Sequence, residues 1–320
     1  MEKELKSIFE DEITLNGNLI SKVDEIKSLD INQDQTSDVF SDKWSEVDND
    51  NSFKEIHQFQ FEWFLKLYGF ETEDNLREYL VDKPFIVDAG CGLGYKAHWL
   101  AKLAPNSIVI GIDISDAAIH AAERYKDVKN LFFLKEDIAN TGIKSNTINF
   151  TICDQVIMHT ENPEVTFMHL SAITKSKSEF ACYVYRKKAL PRELVDDYFR
   201  AKTHSISKEE MWEFSKQLTK LGQNLSELDV SFHCPEIPLL GIKEGEYDIQ
   251  RFIYWNFLKC FYKEEWSPSI NDATNFDWYA PSNANRYSKE GFEEMIEENN
   301  MGVTYFHEEE ACYSGRFKKV

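Results

Sequence analysis

Residues 86–94 read Ile86-Val87-Asp88-Ala89-Gly90-Cys91-Gly92-Leu93-Gly94. An apolar run fit for one buried strand stops at an acid, glycines follow at alternate positions, and a helical pattern begins at Lys96. Glycine tolerates positive φ and lets a ligand approach the backbone, and the first turn of a helix offers N–H groups that lack intrahelical partners. Such a turn suits any nucleotide-like ligand. Two details narrow the choice. Tyr95 stands where a GxGxxG dinucleotide fingerprint needs its third glycine. Asp88 precedes the turn, where a carboxylate is awkward beside a pyrophosphate but useful beside an ammonium and a sulfonium.

On both sides of this stretch the pattern is regular. Apolar runs recur at Phe85–Ala89, Ile108–Ile112, Leu131–Leu134, Ile148–Cys153 and Phe180–Tyr185, with helical stretches at Lys96–Leu103, Asp116–Tyr125 and Glu164–Thr174 between them. Near-continuous apolar strands alternating with helices predict a parallel sheet covered on both faces. A helix (Lys289–Asn299) and two strands (Val303–His307, Cys312–Lys318) close the chain. The short link between those strands makes them antiparallel, since a parallel crossover needs a dozen residues or more. The expected fold is α/β: a doubly wound, seven-stranded, mostly parallel sheet with the last strand antiparallel.

Four segments are expected. Residues 1–50 hold fourteen acids against five lysines and form an acidic appendage, with a hairpin signal at Asn16-Gly17 and Phe40 and Trp44 as anchors. Residues 51–186 form the first part of the sheet domain, opening with a helical pattern through Phe59–Phe64. Residues 187–288 are a large helical insertion after the fifth strand, too long for a loop. It shows helical patterns at Arg192–Arg200, Lys208–Leu221 and Tyr247–Phe261 and an aromatic loop at Asn275–Tyr279. Residues 289–320 complete the sheet.

Composition excludes several classes. With 36 Lys and Arg against 56 Asp and Glu, the formal charge is −20, so the chain on average repels nucleic acid. The insertion, with thirteen basic and sixteen acidic residues, supplies no basic platform. The first residues lack the basic-then-apolar order of a secretory signal, and no run is long enough to span a membrane. The six cysteines form no CxxC pair, which fits neither a metal site nor a disulfide scaffold. A cytoplasmic protein without a metal is expected.

Further acids stand at the ends of the predicted strands. Asp113, in Gly111-Ile112-Asp113-Ile114, lies about twenty residues past the glycines, a distance at which an acid meets ribose hydroxyls. Asp137-Ile138 follows the third strand, and Asp154-Gln155, then His159, follow the fourth. Open α/β sheets bind ligands at these carboxyl ends.

Taken together, VDAGCGLG, GIDIS, KEDIA and INFTICDQV with IMHTENP resemble the class I S-adenosylmethionine-dependent methyltransferases of the type 11 and UbiE-like kind. The resemblance implies their Rossmann-like fold, S-adenosylmethionine as cofactor and a small-molecule acceptor. It also implies residue roles. Asp88, Gly90, Cys91, Gly92 and Gly94 would hold the methionine part, Asp113 and Ile114 the ribose and adenine, and Asp137 and Ile138 the adenine edge. Asp154 and Gln155 would lie near the transferred methyl. His159 is the first candidate for a general base, with His204 and Tyr183 as others. In this class the acceptor pocket is built by the N-terminal helix and by insertions after the fifth strand. Here that points to Tyr185, Arg186, Arg251, Trp255, Trp278, Tyr279 and Arg286, the arginines meeting an anionic group. A homodimer is compatible with this picture, and a non-catalytic interaction subunit or a protein or RNA methyltransferase are the alternatives.

Overall fold

The computed structural model describes residues 1–22, 35, 37–40, 53–203 and 206–320, so Trp44 and His204 lie outside the described residues. Twelve strands are described: β1 (Ile13–Asn16), β2 (Leu19–Lys22), β3 (Phe85–Ala89), β4 (Ile108–Asp113), β5 (Leu131–Lys135), β6 (Ile148–Cys153), β7 (Thr174–Arg186), β8 (Ser231–Cys234), β9 (Gly245–Asp248), β10 (Arg286–Tyr287), β11 (Met301–Glu308) and β12 (Cys312–Lys319). The main sheet runs β1-β2-β5-β4-β3-β6-β7-β12-β11, with β10 joining β7 in parallel. Strands β5, β4, β3, β6 and β7 are parallel, and β12 lies antiparallel to both β7 and β11. The seven expected strands and their directions are present.

The apolar runs behave as their composition requires. Every residue of β4 is buried, and β3 is buried from Ile86 onward. One apolar cluster includes Val87, Ile110, Phe167 and Phe292, and a second includes Ile86, Val109, Leu100 and Phe133, so successive residues of a strand feed different clusters. Each such side chain contributes roughly 1.5–3 kcal/mol of burial. Chain order reverses between β4 and β6, the two neighbours of β3, so a crevice opens at the carboxyl ends of β3 and β6.

The first residues are not an appendage. Helix Glu2–Ser7 and the β1–β2 hairpin extend the sheet, with Leu19 opposite Phe133 and Ile20 opposite Leu134. Gly17 turns the hairpin at φ +61°. Asn18 then pins it: its side-chain amide donates to the carbonyls of Tyr125 (2.9 Å) and Val128 (3.1 Å). Leu5, Ile8, Phe9, Ile13 and Ile20 are buried as a result. Strand β7 also begins earlier than its apolar run, because Thr174 already pairs with Ile148 and the polar residues 175–178 carry the strand through a register shift.

Residues Lys187–Ala284 form a separate compact unit. It contains helices Leu190–Thr203, Lys208–Ser226, Ile249–Asn256 and Pro268–Tyr279 and the β8–β9 hairpin. Two expectations are corrected here. Tyr247 belongs to β9, and the helix expected over Tyr247–Phe261 spans only Ile249–Asn256. Side chains capture the backbone beyond it: Asn275 Oδ1 accepts from Phe261 N (2.8 Å), Asn271 Oδ1 from Lys263 N (2.8 Å), and Gln250 Nε2 donates to Cys260 O (2.8 Å). The aromatic stretch Asn275–Tyr279 is helix rather than loop. Ser267 caps that helix by accepting from Ile270 N, and Pro268 fits its first turn.

Candidate cofactor crevice

Strand β3 delivers Asp88 to the crevice with only 2% of its surface exposed. The glycine turn is then fastened to β4, where Gly90 N and Cys91 N donate to Ile112 O at 2.7 and 2.9 Å. Gly92 N donates to Asp113 Oδ2 at 2.8 Å. Gly90 and Gly94 adopt φ of +81° and +76°, and Gly94 caps helix Tyr95–Leu103. A Cβ on Gly90 would overlap the Val156 side chain, and one on Gly94 would lie 2.6 Å from Phe133 Cε1. The glycines therefore serve the packing of the turn as well as the approach of a ligand. Gly90→Ala is expected to cost roughly 2–3 kcal/mol through positive φ and overlap. A thermal melt checks this, and unchanged melting would show that Val156 yields freely.

Asp113 ends β4. Its Oδ1 accepts from Ser115 N (3.0 Å) and Ser115 Oγ (2.6 Å), and its Oδ2 from Gly92 N. A carboxylate offers about four lone-pair positions, so room for a further donor remains. Burial raises the Asp113 pKa against the opposing bonds from Ser115 and Gly92. Ile114 O accepts from Ser37 Oγ at 3.5 Å. Asp137 Oδ1 accepts from Ala139 N (2.8 Å), with Ile138 buried beside it. Cys91 is buried with its thiol raised well above the ordinary value by burial, so it packs rather than reacts.

Beyond β6, Asp154 is held on both sides. Oδ1 accepts from the buried Tyr68 hydroxyl (2.8 Å), and Oδ2 accepts from the Lys96 ammonium and from Gln155 Nε2 (3.2 Å). Gln155 Nε2 also donates to Gln60 Oε1 at 3.0 Å, and Gln155 itself has φ +65°. A non-glycine residue in that region is strained, and such strain gathers at functional sites. His159 is buried, edge-on to Phe40 with centroids 5.2 Å apart, and its Nε2 lies 3.3 Å from the Tyr185 hydroxyl. Tyr183 is buried between Trp63 and Tyr185, with burial raising its hydroxyl pKa further.

Lys96 is the side chain that sequence reasoning missed. It sits in the first turn of helix Tyr95–Leu103, only 7% exposed, although the positive end of a helix dipole disfavours a cation there. That mismatch was the available signal. Burial works against its charge, but Asp154, Tyr95 and Asp88 outweigh burial and hold its pKa above the ordinary lysine value. Asp88 shows the opposite balance. Burial, helped by Asp154 and Asp113, pushes its carboxyl up to about 6 against the pull of Lys96 and the Ala97 N–H. Asp88 Oδ2 is buried without a hydrogen-bond partner. A buried acceptor left unmade is costly, and a cationic donor would relieve it.

The structure thus brings Asp88, the glycine turn, Asp113, Asp154 and Gln155 to adjoining strand ends, with Asp137 and Ile138 following β5. Tyr185, Arg186 and Arg286 meet where β10 pairs with the end of β7. There the Arg186 guanidinium donates to Glu308 Oε1 (3.0 Å) and lies 5.3 Å from the Tyr313 ring centroid. The remaining acceptor candidates belong to the second unit. Arg251 donates to Tyr262 O (3.3 Å) between the rings of Tyr254 and Phe261, and Trp255 lies beneath Lys188 at 5.3 Å. Trp278 Nε1 and the Tyr279 hydroxyl both donate to buried Asp196 at 2.7 Å. Among the described residues no group of His, Cys, Asp and Glu could hold a metal ion, and no helix is long and apolar enough to cross a membrane.

Residues 82–237 match the family model described as a methyltransferase domain. Malonyl-[acyl-carrier protein] O-methyltransferase of Bacillus cereus is 40% identical over 61 residues, covering 19% of this chain and 23% of that protein. The Bacillus anthracis protein of the same name is 38% identical over 53 residues, covering 17% and 20%. The chain therefore spans less than a quarter of the length of these curated relatives. Magnesium protoporphyrin IX methyltransferase of Synechocystis PCC 6803, solved with S-adenosylmethionine, aligns over 92% of this chain and 98% of its own at 13% identity and a TM-score of 0.45.

The methyltransferase-domain match covers just under half of the chain. The residues present fit S-adenosylmethionine, the cofactor the sequence motifs imply: three strand-end carboxylates against one lysine leave an excess of negative charge, and Asp88 Oδ2 has no hydrogen-bond partner.

Proposed function

We propose that the chain transfers a methyl group from S-adenosylmethionine to a small anionic or aromatic metabolite by in-line displacement. The observation that carries this reading is Asp88, a buried acid with an unbonded oxygen at the point where strand order reverses. Bound in the crevice, the cofactor supplies an electrophilic methyl on a cationic sulfur. Asp88 and the backbone of Gly90, Cys91, Gly92 and Gly94 receive its methionine end. Asp113 and Ile114 receive the ribose, and Asp137 and Ile138 the adenine. Asp154 is engaged by Lys96 and Tyr68, so its part is to fix the Gln155 side chain and the wall beside the methyl rather than to move a proton.

His159, edge-on to the rings of Phe40 and Tyr185, is the base this reading assigns where the acceptor needs one. An acceptor that is already anionic needs no base. The names of the two Bacillus relatives, O-methyltransferases of a malonyl group, favour such an oxygen nucleophile. Tyr185, Arg186 and Arg286 in the first unit, and Arg251, Trp255, Trp278 and Tyr279 in the second, remain the proposed acceptor residues.

The test is methyl transfer from labelled S-adenosylmethionine to a panel of small carboxylates, phosphates, phenols and malonyl thioesters. Label in one acceptor class, with KM raised in Arg251→Ala, supports the proposal. Binding of S-adenosylhomocysteine without transfer to any acceptor, or strong salt-dependent RNA binding, would replace it with an interaction subunit or an RNA enzyme.

A further inference from the structure

The unit Lys187–Ala284 buries an excess of positive charge around one indole. The Arg192 guanidinium lies 5.2 Å from the Trp278 ring centroid, the Arg200 guanidinium 5.7 Å, and the Lys259 ammonium 4.6 Å. All three side chains are buried, and Asp196 is the fully buried carboxylate facing them, with Asp277 half-buried nearby. Asp196 is consumed: it accepts from Arg192 Nε, Trp278 Nε1 and the Tyr279 hydroxyl, each at 2.7 Å. Arg192 also donates to Tyr254 O, and Arg200 to Trp278 O at 2.8 Å.

Lys259 is different. It is 7% exposed, its ammonium lies over the Trp278 face, and the carboxylates that act on it are those of Asp277 and Asp196, the second already taken by other donors. A cation–π contact satisfies none of its three donors. A buried ammonium in this position calls for an anion.

We infer that this unit binds a small oxyanion, a carboxylate or phosphate group, against the Lys259 ammonium, with Arg192 and Arg200 flanking it. The inference deepens the proposed acceptor chemistry, since it gives an anionic acceptor a specific cation, but its test does not depend on methyl transfer. Electrostatics point the same way. Burial, with Arg192 and Arg200 adding and Asp277 and Asp196 opposing, pulls the Lys259 pKa down to about 7. Arg251 and Tyr254 on helix Ile249–Asn256, Tyr279 on helix Pro268–Tyr279, the neighbouring Cys260, and Asp197, which pairs with Arg200 at 3.7 Å from the exposed side of its helix, are further titratable groups around it. An anion that binds here must draw a proton onto Lys259 when the solution is more alkaline than that pKa.

The experiment is calorimetric titration of the full chain, free of cofactor, with inorganic phosphate and separately with malonate. It is run at pH 8 and constant ionic strength in two buffers of different ionisation enthalpy. The expected result is saturable binding with proton uptake approaching one per anion, and the tighter of the two probes identifies the chemistry. Lys259→Met should abolish the uptake and weaken binding at least tenfold while melting no lower than wild type. No binding at high millimolar concentration, or binding without proton uptake, would overturn the inference, and this wild-type readout stands even where the variant fails to fold. Cofactor binding is measured in parallel, so a chain that binds S-adenosylhomocysteine but no anion loses this site and keeps the cofactor reading.

Discussion

Asp88→Asn is expected to weaken S-adenosylhomocysteine binding by about 10–100-fold while leaving the unliganded protein as stable as wild type or more so. The first half follows from losing a charge-assisted hydrogen bond, worth roughly 1.5–3 kcal/mol, between the carboxylate and the cofactor ammonium. The second follows from the burial that pushes Asp88 up to about 6. Because the folded-state pKa lies above the unfolded one, the native protein binds the extra proton between about pH 4 and 6. Its stability therefore falls as pH rises through that window, by roughly 3 kcal/mol at one pKa unit per 1.36 kcal/mol. Asparagine removes that penalty, and melts at pH 7.5 with and without ligand check both halves. A variant that loses stability and ligand binding together would make Asp88 a structural acid.

Lys96→Met should have the opposite profile. It leaves Asp154 and Asp88 buried without their cation, and breaking a buried pair from one side costs about 3–5 kcal/mol. For a protein of this size that is a fall of roughly 4–7 °C in melting temperature. Adding Asp154→Asn removes one of the stranded charges and should recover part of the loss, whereas two independent surface effects would simply add. The comparison separates the two halves of the crevice. Lys96 and Asp154 form the frame joining the glycine-turn helix to the end of β6, and Asp88 is the acid left open to the ligand.

The strands were legible because apolar runs buried on both faces leave a continuous signature, and the strand-end acids stood out because carboxylates seldom end such runs unless paired, as Asp113 and Asp154 are. Lys96 was not legible, since a helical lysine ordinarily points to water and only the fold shows Asp154 beside it. The N-terminal hairpin was readable as a turn, but its pairing with β5 is a contact across more than a hundred residues. In the second unit the failures share one cause. Asn271, Asn275 and Gln250 take over backbone groups after Asn256, and no local propensity reports a capture made by side chains from elsewhere in the chain. Trp278 and Tyr279 were legible as aromatics, but not the hydrogen bond that each donates to Asp196.

The most direct measurement is calorimetric titration of the full chain with S-adenosylhomocysteine at pH 7 and at pH 5. One site per chain is expected, with the dissociation constant rising about tenfold at the lower pH as Asp88 takes up a proton that the ligand must displace. Absence of binding at either pH, or tight binding that Asp88→Asn leaves unaltered, would contradict the assignment of this crevice to the cofactor.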